Sequence, residues 1–585
     1  MLNSHFSNRL AAAVAALSLL APTPAFAQTS GAATAAPTLQ EAFDAIDTYA
    51  PQAMAEQGTP GLSLAITDRD HTTHILTLGY ANLDARTPVT GQTRFAIGSI
   101  TKSMTALCLL QLHDRGRLDL DANVRGYLPW FSIQSDGKPI LVHQLLSHTA
   151  GIPDDFSYAL GYTYDIVALR GAHTLFAPGT AWSYANDGFA IAGAILATLD
   201  GRPWADSLRA RVFAPLSMTQ SSPVFTPQLL ADAATGYEFR DADRPASLHP
   251  ALVPSRPMDF VDPAGSVLST PGDMAKYLRL LLDGGKTTGG TQLISPASYL
   301  LWTTPDKLNN GKPAGSPGVE MSEWPAFYKQ YAFGLSVFND SGDKLVGHTG
   351  GISGYTACMQ ANVTRGFAVI AMANLVEAPL HPCAIVRYAM AVLRAQSLGQ
   401  PLPPIPAAVD PGNVTGASAY AGTFAAFDGR QLAFRVAANH LRLLDGAQTF
   451  TLYPRGDDAF WTDDPRFATF LFAFERGAKK QVTDVLYGTD VYAGTAYTGP
   501  RTFTHPKAWD ALVGRYEGDA FGSSFVTRVL IVKGQLTFDG QSVLKPNADG
   551  TFALGSSTVR FDRNAAGKPQ RLTFDDVHMY RMELP

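Results

Sequence analysis

The chain has 585 residues, 46% of them hydrophobic and 16% charged, the make-up of an ordinary globular protein. A net charge of −5 without any basic tract argues against nucleic acid as a partner. The three cysteines, Cys108, Cys358 and Cys383, have neither a disulfide-framework pattern nor metal-ligand spacing, so no metal and no cofactor is expected.

Arg9, the apolar run 10–21 and Ala25-Phe26-Ala27 read as a secretory signal peptide (1–27) cut before Gln28. The run is too short to span a bilayer. The expectation is an exported, periplasmic protein with no integral membrane segment. An Ala/Thr/Ser-rich leader (28–37) precedes a helix over 39–57, and 62–67 and 74–78 form a hairpin. His71 and His74 are turn residues there, not ligands.

Gly98-Ser99-Ile100-Thr101-Lys102 opens an apolar, helix-favouring run. A helix beginning at or just before Ser99 sets Lys102 one turn on, over the same face. A serine hydroxyl needs an adjacent base to act as a nucleophile. Lysine supplies one when burial and positive neighbours lower its pKa. The helix N-terminus adds N–H groups for an oxyanion. The bland alternative is an N-cap serine with a solvated lysine. Ser135–Lys138 and Ser341–Lys344 repeat the spacing in Gly/Asp turns with no helix behind them, and are chance matches.

Ser147-His148-Thr149-Ala150-Gly151 ends a short helix, with His148 bracing a loop. Tyr184-Ala185-Asn186 stands where a loop opens the apolar helix 189–199, so a phenol and an amide can face one cavity. Tyr184 is otherwise a packed tyrosine with a satisfied hydroxyl. Residues 263–274 lead into helix 275–282, and strands are expected at 333–338, 356–361 and 367–373. Between them, His348-Thr349-Gly350-Gly351 forms a glycine-rich strand end where backbone can approach a ligand. His348 is there to steer a substrate carboxylate or relay a proton, or is simply a hairpin histidine. A helix over 383–396 closes the region. Cys358 and Cys383 can pair in an oxidising compartment, a point sequence leaves open; Cys108 is core packing.

Residues 397–417 form a proline-rich linker. Beyond it a weak repeat relates Tyr420-Ala-Gly422-Thr-Phe424 to Leu512-Val-Gly514-Arg-Tyr516, giving two β modules at 418–506 and 507–585. They are two small barrels or two halves of a larger one.

The order Ser99-x-x-Lys102, Tyr184-x-Asn186, His348-Thr349-Gly350 resembles the penicillin-recognising serine hydrolases: class C β-lactamases, serine DD-peptidases, D-aminopeptidases and related esterases. The Leu-Leu-Ser-His-Thr-x-Gly text at 145–151 matches as well. The resemblance implies an α+β, β-lactamase/transpeptidase-like catalytic domain (38–396): a mixed sheet, flanking helices and an all-helical subdomain between the first and third motifs, followed by all-β barrel-like modules. It implies Ser99 as acylated nucleophile, Lys102 as its base partner, Tyr184 as proton shuttle and Asn186 as substrate-amide ligand. His348, Thr349 and Gly350 line the strand edge, and the Ser99 and Gly351 N–H groups form the oxyanion hole. His-Thr-Gly in place of the lysine form usual in class C β-lactamases shifts the expected substrate from β-lactams toward D-amino-acid peptides or small esters. The alternatives are a β-lactamase and a penicillin-binding sensor with little turnover.

Overall fold

Alternating apolar residues between tight turns build the sheet on which the site is mounted. The computed structural model describes residues 36–585 apart from 57, 154–160, 241–250, 256–261, 316–328, 376–380, 409, 457, 463, 521–522, 555–556, 575–576 and 583–585. The expected signal peptide, and the leader up to residue 35, lie outside the described residues. The strands are β1 (Gly61–Asp68), β2 (Thr72–Asn82), β3 (Thr87–Pro88), β4 (Ser336–Asp340), β5 (Asp343–Ile352), β6 (Tyr355–Asn362) and β7 (Phe367–Ala373). They lie in the order β3-β2-β1-β7-β6-β5-β4.

Every pairing in this sheet is antiparallel, so the mixed sheet expected from sequence is not what forms. Hairpins impose this: consecutive strands return on themselves through short turns, and the one long excursion leaves beyond β3 and rejoins at the opposite edge. Strand alternation divides the interior into two layers. Leu62, Leu64, Ile66, Val369 and Ala371 face one core, while Ala65, Ala368, Ile370 and Met372 face the other.

The five longest helices are α1 (Leu39–Ala55), α2 (Thr101–Asp114), α3 (Asn186–Asp200), α4 (Pro271–Leu282) and α5 (His381–Ser397). Thr38 and Glu41 form a capping box that starts α1. Helices α1 and α5 pack against each other and share the first core layer. Helix α2 is buried without a break from Thr101 to Leu112, so it forms the spine of the second layer. Cys358 on β6 and Cys383 on α5 form a disulfide, with their Cα atoms 5.2 Å apart, and Cys108 is a free, buried thiol on α2.

The excursion between β3 and β4 is mainly helical but not wholly so. Phe95–Ala96 pairs with Leu268–Ser269, and Tyr237–Phe239 with Leu252–Pro254. The first of these pairs ties the chain just before Ser99 to the chain just after Ala264, which proves important below.

Past α5 the proline-rich stretch is strapped down rather than free. Leu402 packs on the first core layer, and the Pro406 carbonyl accepts a hydrogen bond from Gln52 Nε2 on α1 at 3.0 Å. Eight strands from Gly422–Ala426 to Asp490–Ala493 close a barrel filled by Phe424, Phe434, Phe460, Phe472 and Phe474. Nine strands from Gly514–Ala520 to Val577–Met582 enclose a separate core around Tyr516, Val529 and Leu572. Two cores make two modules, and Gly422 and Gly514 each open the first strand of one. The modules meet through Leu486, Val491 and Val532, with the Lys533 ammonium on the Glu475 and Asp484 carboxylates. No helix among the described residues is long and apolar enough to cross a membrane.

The disulfide closes a loop with a sequence separation of 25, which in the chain-entropy view stabilises the fold by about 3 kcal/mol. The double substitution Cys358→Ala, Cys383→Ala therefore lowers the unfolding midpoint. Dithiothreitol lowers it in the native protein and leaves the double variant unmoved, as differential scanning calorimetry will read.

Candidate active site

The site begins with a turn that only glycine allows. After the Phe95–Ala96 pair, Ile97 N–H donates to Val267 O at 2.9 Å and Gly98 turns through φ +50°. A 3-10 turn, Gly98–Ile100, then feeds α2. Ser99 thus lies in the turn ahead of the α-helix rather than in its first residues, still one turn before Lys102.

Strand β5 runs hard against this turn. A Cβ on Gly98 would stand 2.7 Å from Gly351 N, and one on Gly350 only 1.9 Å from Ile97 O. Strand β4 pairs with β5 only as far as Gly347, and beyond it the turn takes up the outer edge of β5. Gly351 is exposed there, and its backbone N stands against Gly98, the residue before Ser99.

Lys102 is fully buried, yet its ammonium is met on all sides. Nζ donates to Ser99 Oγ at 3.0 Å, Asn186 Oδ1 at 2.6 Å and Ala264 O at 3.0 Å. It also lies 4.9 Å from the centre of the Tyr184 ring. Three donors and three acceptors offset the loss of water around the charge. Because Lys102 takes the Asn186 amide oxygen, any hydrogen bond from Asn186 to a substrate carbonyl comes from its amide nitrogen. Ser99, Tyr184 and Asn186 are only part-buried and so reachable.

Two buried histidines back this group. His148, at φ +59°, accepts the Ala185 N–H on Nδ1 at 3.1 Å, and its carbonyl accepts the Ser183 N–H at 3.0 Å. It braces the loop that carries Tyr184, as the sequence suggested, and its ring packs 4.2 Å from the Tyr184 ring. Burial first, then the charge of Lys102, push His148 well below the usual imidazole range. It is neutral, with its proton on Nε2.

His348 is likewise fully buried. Burial first, then Lys102, drive it down to about 3 against the pull of the Thr349 carbonyl. A neutral ring donates from Nδ1 to Thr349 O at 2.5 Å, which leaves Nε2 to accept from the Tyr331 hydroxyl at 2.8 Å. In this state the ring braces the 348–351 strand end through both of these bonds. Thr349 is buried with it, and Gly350 forms the contact with Ile97.

Sequence reasoning missed Tyr331, whose ring lies 4.8 Å from His148 and 5.9 Å from Trp182. Nothing in its local text marks it, because its role comes from folding β4 back beside β5. It also missed Asp262 and Ala264, although Pro263-Ala-Gly265 was a visible turn. The chance Ser-x-x-Lys repeats do sit in turns: Lys138 N–H donates to Ser135 O at 2.9 Å, and Ser341 has φ +52° in the β4–β5 hairpin. Among the described residues no cluster of His, Cys, Asp or Glu could hold a metal ion.

Residues 46–389, more than half of the chain, match the family model described as Beta-lactamase. The chain belongs to the beta-lactamase family. As a member, it is a serine hydrolase whose relatives include penicillin-binding proteins. It is 30% identical over 342 residues to "Penicillin-binding protein 4" of Amycolatopsis lactamdurans, covering 57% of this chain and 83% of that one. It is 25% identical over 405 residues to "Penicillin-binding protein 4*" of Bacillus subtilis, covering 66% and 83%. The solved octameric penicillin-binding protein homologue from Pyrococcus abyssi shares the fold at TM-score 0.52 and 23% identity, over 77% of this chain and 99% of its own.

Two expectations follow for this hydrolase. Gly350→Ala drives a methyl into Ile97 O, parting β5 from the Ser99 turn; hydrolase activity falls ~100-fold, the loss expected where a backbone donor at an active site is displaced, as stopped-flow rates will read. The second concerns His143, on the short helix ahead of His148. Its Nδ1 lies 2.8 Å from Asp306 Oδ2. Burial pulls its pKa down, but the Asp306 hydrogen bond and the charges of Asp306 and Asp121 outweigh this and raise it. A raised folded pKa means stabilisation that is full below the unfolded value and lost as pH climbs through the folded one. Thermal melts should thus separate wild type from His143→Gln more at pH 5.5 than at pH 8.5.

Proposed function

We propose that this hydrolase is exported and works through an acyl-enzyme on Ser99, with small amides or esters as substrates, D-amino-acid peptides and small esters foremost. The observation that carries the reading is the contact between Lys102 Nζ and Ser99 Oγ at 3.0 Å beside an exposed glycine strand edge. In its unprotonated form Lys102 takes the Oγ proton, directly or through the Tyr184 phenol. Oγ attacks the substrate carbonyl carbon, and the Ser99 and Gly351 N–H groups stabilise the oxyanion. Collapse expels the amine or alcohol, which leaves with a proton delivered from the Lys102–Tyr184 side. Water then attacks the ester carbonyl and returns the serine.

The neutral state of His348 weighs toward substrates that anchor through an uncharged amide or ester rather than a carboxylate. The disulfide between Cys358 and Cys383 supports an oxidising compartment, in keeping with the signal-like N-terminus. The names of the two relatives favour a second reading, a penicillin-binding protein that acylates and turns over little.

A panel of D-aminoacyl p-nitroanilides, D-Ala-D-Ala peptides, p-nitrophenyl esters and a chromogenic cephalosporin separates these readings. Turnover of the first or third group, lost at least 1000-fold in Ser99→Ala and Lys102→Ala, is the expected result. A penicillin adduct on Ser99 that persists for hours in the mass spectrum, without turnover of the panel, points to the second reading. Undiminished turnover by a folded Ser99→Ala protein overturns both.

A further inference from the structure

Asp262 sits beside the reacting group without a part in the chemistry above. It is 5% exposed, and its Oδ1 accepts the Ala264 N–H at 2.6 Å. The carbonyl of the same Ala264 accepts from Lys102 Nζ at 3.0 Å. One residue therefore touches both the carboxyl and the ammonium. Other bonds already dock this loop on α2: Thr105 Oγ1 donates to Pro263 O at 2.8 Å, and Val267 N–H donates to Thr101 Oγ1 at 3.2 Å. Within the loop, Ser266 Oγ accepts the Asp262 N–H at 2.8 Å. The loop is held without the carboxyl, so a buried carboxyl here needs another explanation.

We propose that Asp262 is a positioning residue of this hydrolase: its carboxyl aims the Ala264 carbonyl at Lys102, and its negative charge sets the pH at which Lys102 gives up its proton. Among the described residues two titratable groups face Asp262, Lys102 from α2 and Tyr162 from the helix Tyr162–Ala168. Lys102 in turn faces His148 and His348, both neutral, and the Tyr184 ring 4.9 Å from Nζ. Beside Lys102 itself, Asp262 is the group here that changes charge near neutrality. Burial pushes its carboxyl up to about 6 against the Ala264 N–H and Lys102, so the charge appears as pH nears neutrality. An opposite charge nearby favours protonated lysine, so ionised Asp262 delays the release of the base to higher pH.

The test uses the full chain and two acylating reagents, p-nitrophenyl acetate and a fluorescent penicillin, with the second-order rate of Ser99 labelling followed from pH 5 to pH 10. Asp262→Asn keeps an oxygen for the Ala264 N–H and loses the charge. Its acid limb moves to lower pH by about one unit while the plateau is kept. Asp262→Ala loses both, and its plateau falls about tenfold below that of Asp262→Asn, the worth of one hydrogen bond. A limb that moves in neither variant, or equal plateau losses with the limb in place, marks Asp262 as merely structural and overturns the proposal. The native protein gives a reading that needs no variant: its acid limb carries an inflection near pH 6, and a limb fitted by one ionisation overturns the proposal. A native protein labelled by neither reagent overturns the acyl-enzyme reading and this proposal together.

Discussion

A fully buried ammonium constrains the rest of this molecule. Lys102 can keep its place only if acceptors reach it from elsewhere, and they come from three parts of the chain: Ser99 one turn back, Asn186 at the start of α3, and the Ala264 carbonyl after a long excursion. Had any of these been missing, the cost of a desolvated charge would fall on the fold itself. The same demand that makes the lysine expensive to bury thus holds the serine, the amide and the Ala264 loop in register. Stability and the geometry of the candidate site are here a single requirement.

The neighbours sort by charge in a consistent way. His148 and His348 lie close enough to the ammonium for burial and its field to keep both neutral. His148 accepts the Ala185 N–H through Nδ1 on the Tyr184 loop, and His348 donates from Nδ1 to Thr349 O at the strand end beside Gly350 and Gly351. Two imidazoles beside the candidate site thus serve to brace backbone.

Much of this was readable beforehand, for identifiable reasons. Ser99 and Lys102 are close in sequence, so helical periodicity brings them together, and an apolar run behind them told the true pair from the turn-bound repeats at 135–138 and 341–344. The strands at β6 and β7 and the repeat of the β modules followed from alternation and glycine spacing. What stayed hidden depends on contacts between distant segments. Tyr331 becomes a partner of His348 only through the β4–β5 hairpin. Asp262 matters only because Ala264 faces α2. The pairing of β1 with β7 also escaped, since it joins strands far apart in the chain that no turn connects. Cys358 and Cys383 carried no spacing signal, their approach being set by the packing of α5 on the sheet.

The side-by-side packing of α1 and α5, with Pro406 fastened to Gln52, has a consequence for how this chain is assembled. Helices α1 and α5 share the core layer on the other side of the sheet from the residues that flank Ser99, and the chain that follows α5 is bound back to α1 at Gln52. The polypeptide therefore leaves for the β modules from the layer opposite the Ser99 turn, and the site is built without help from that exit.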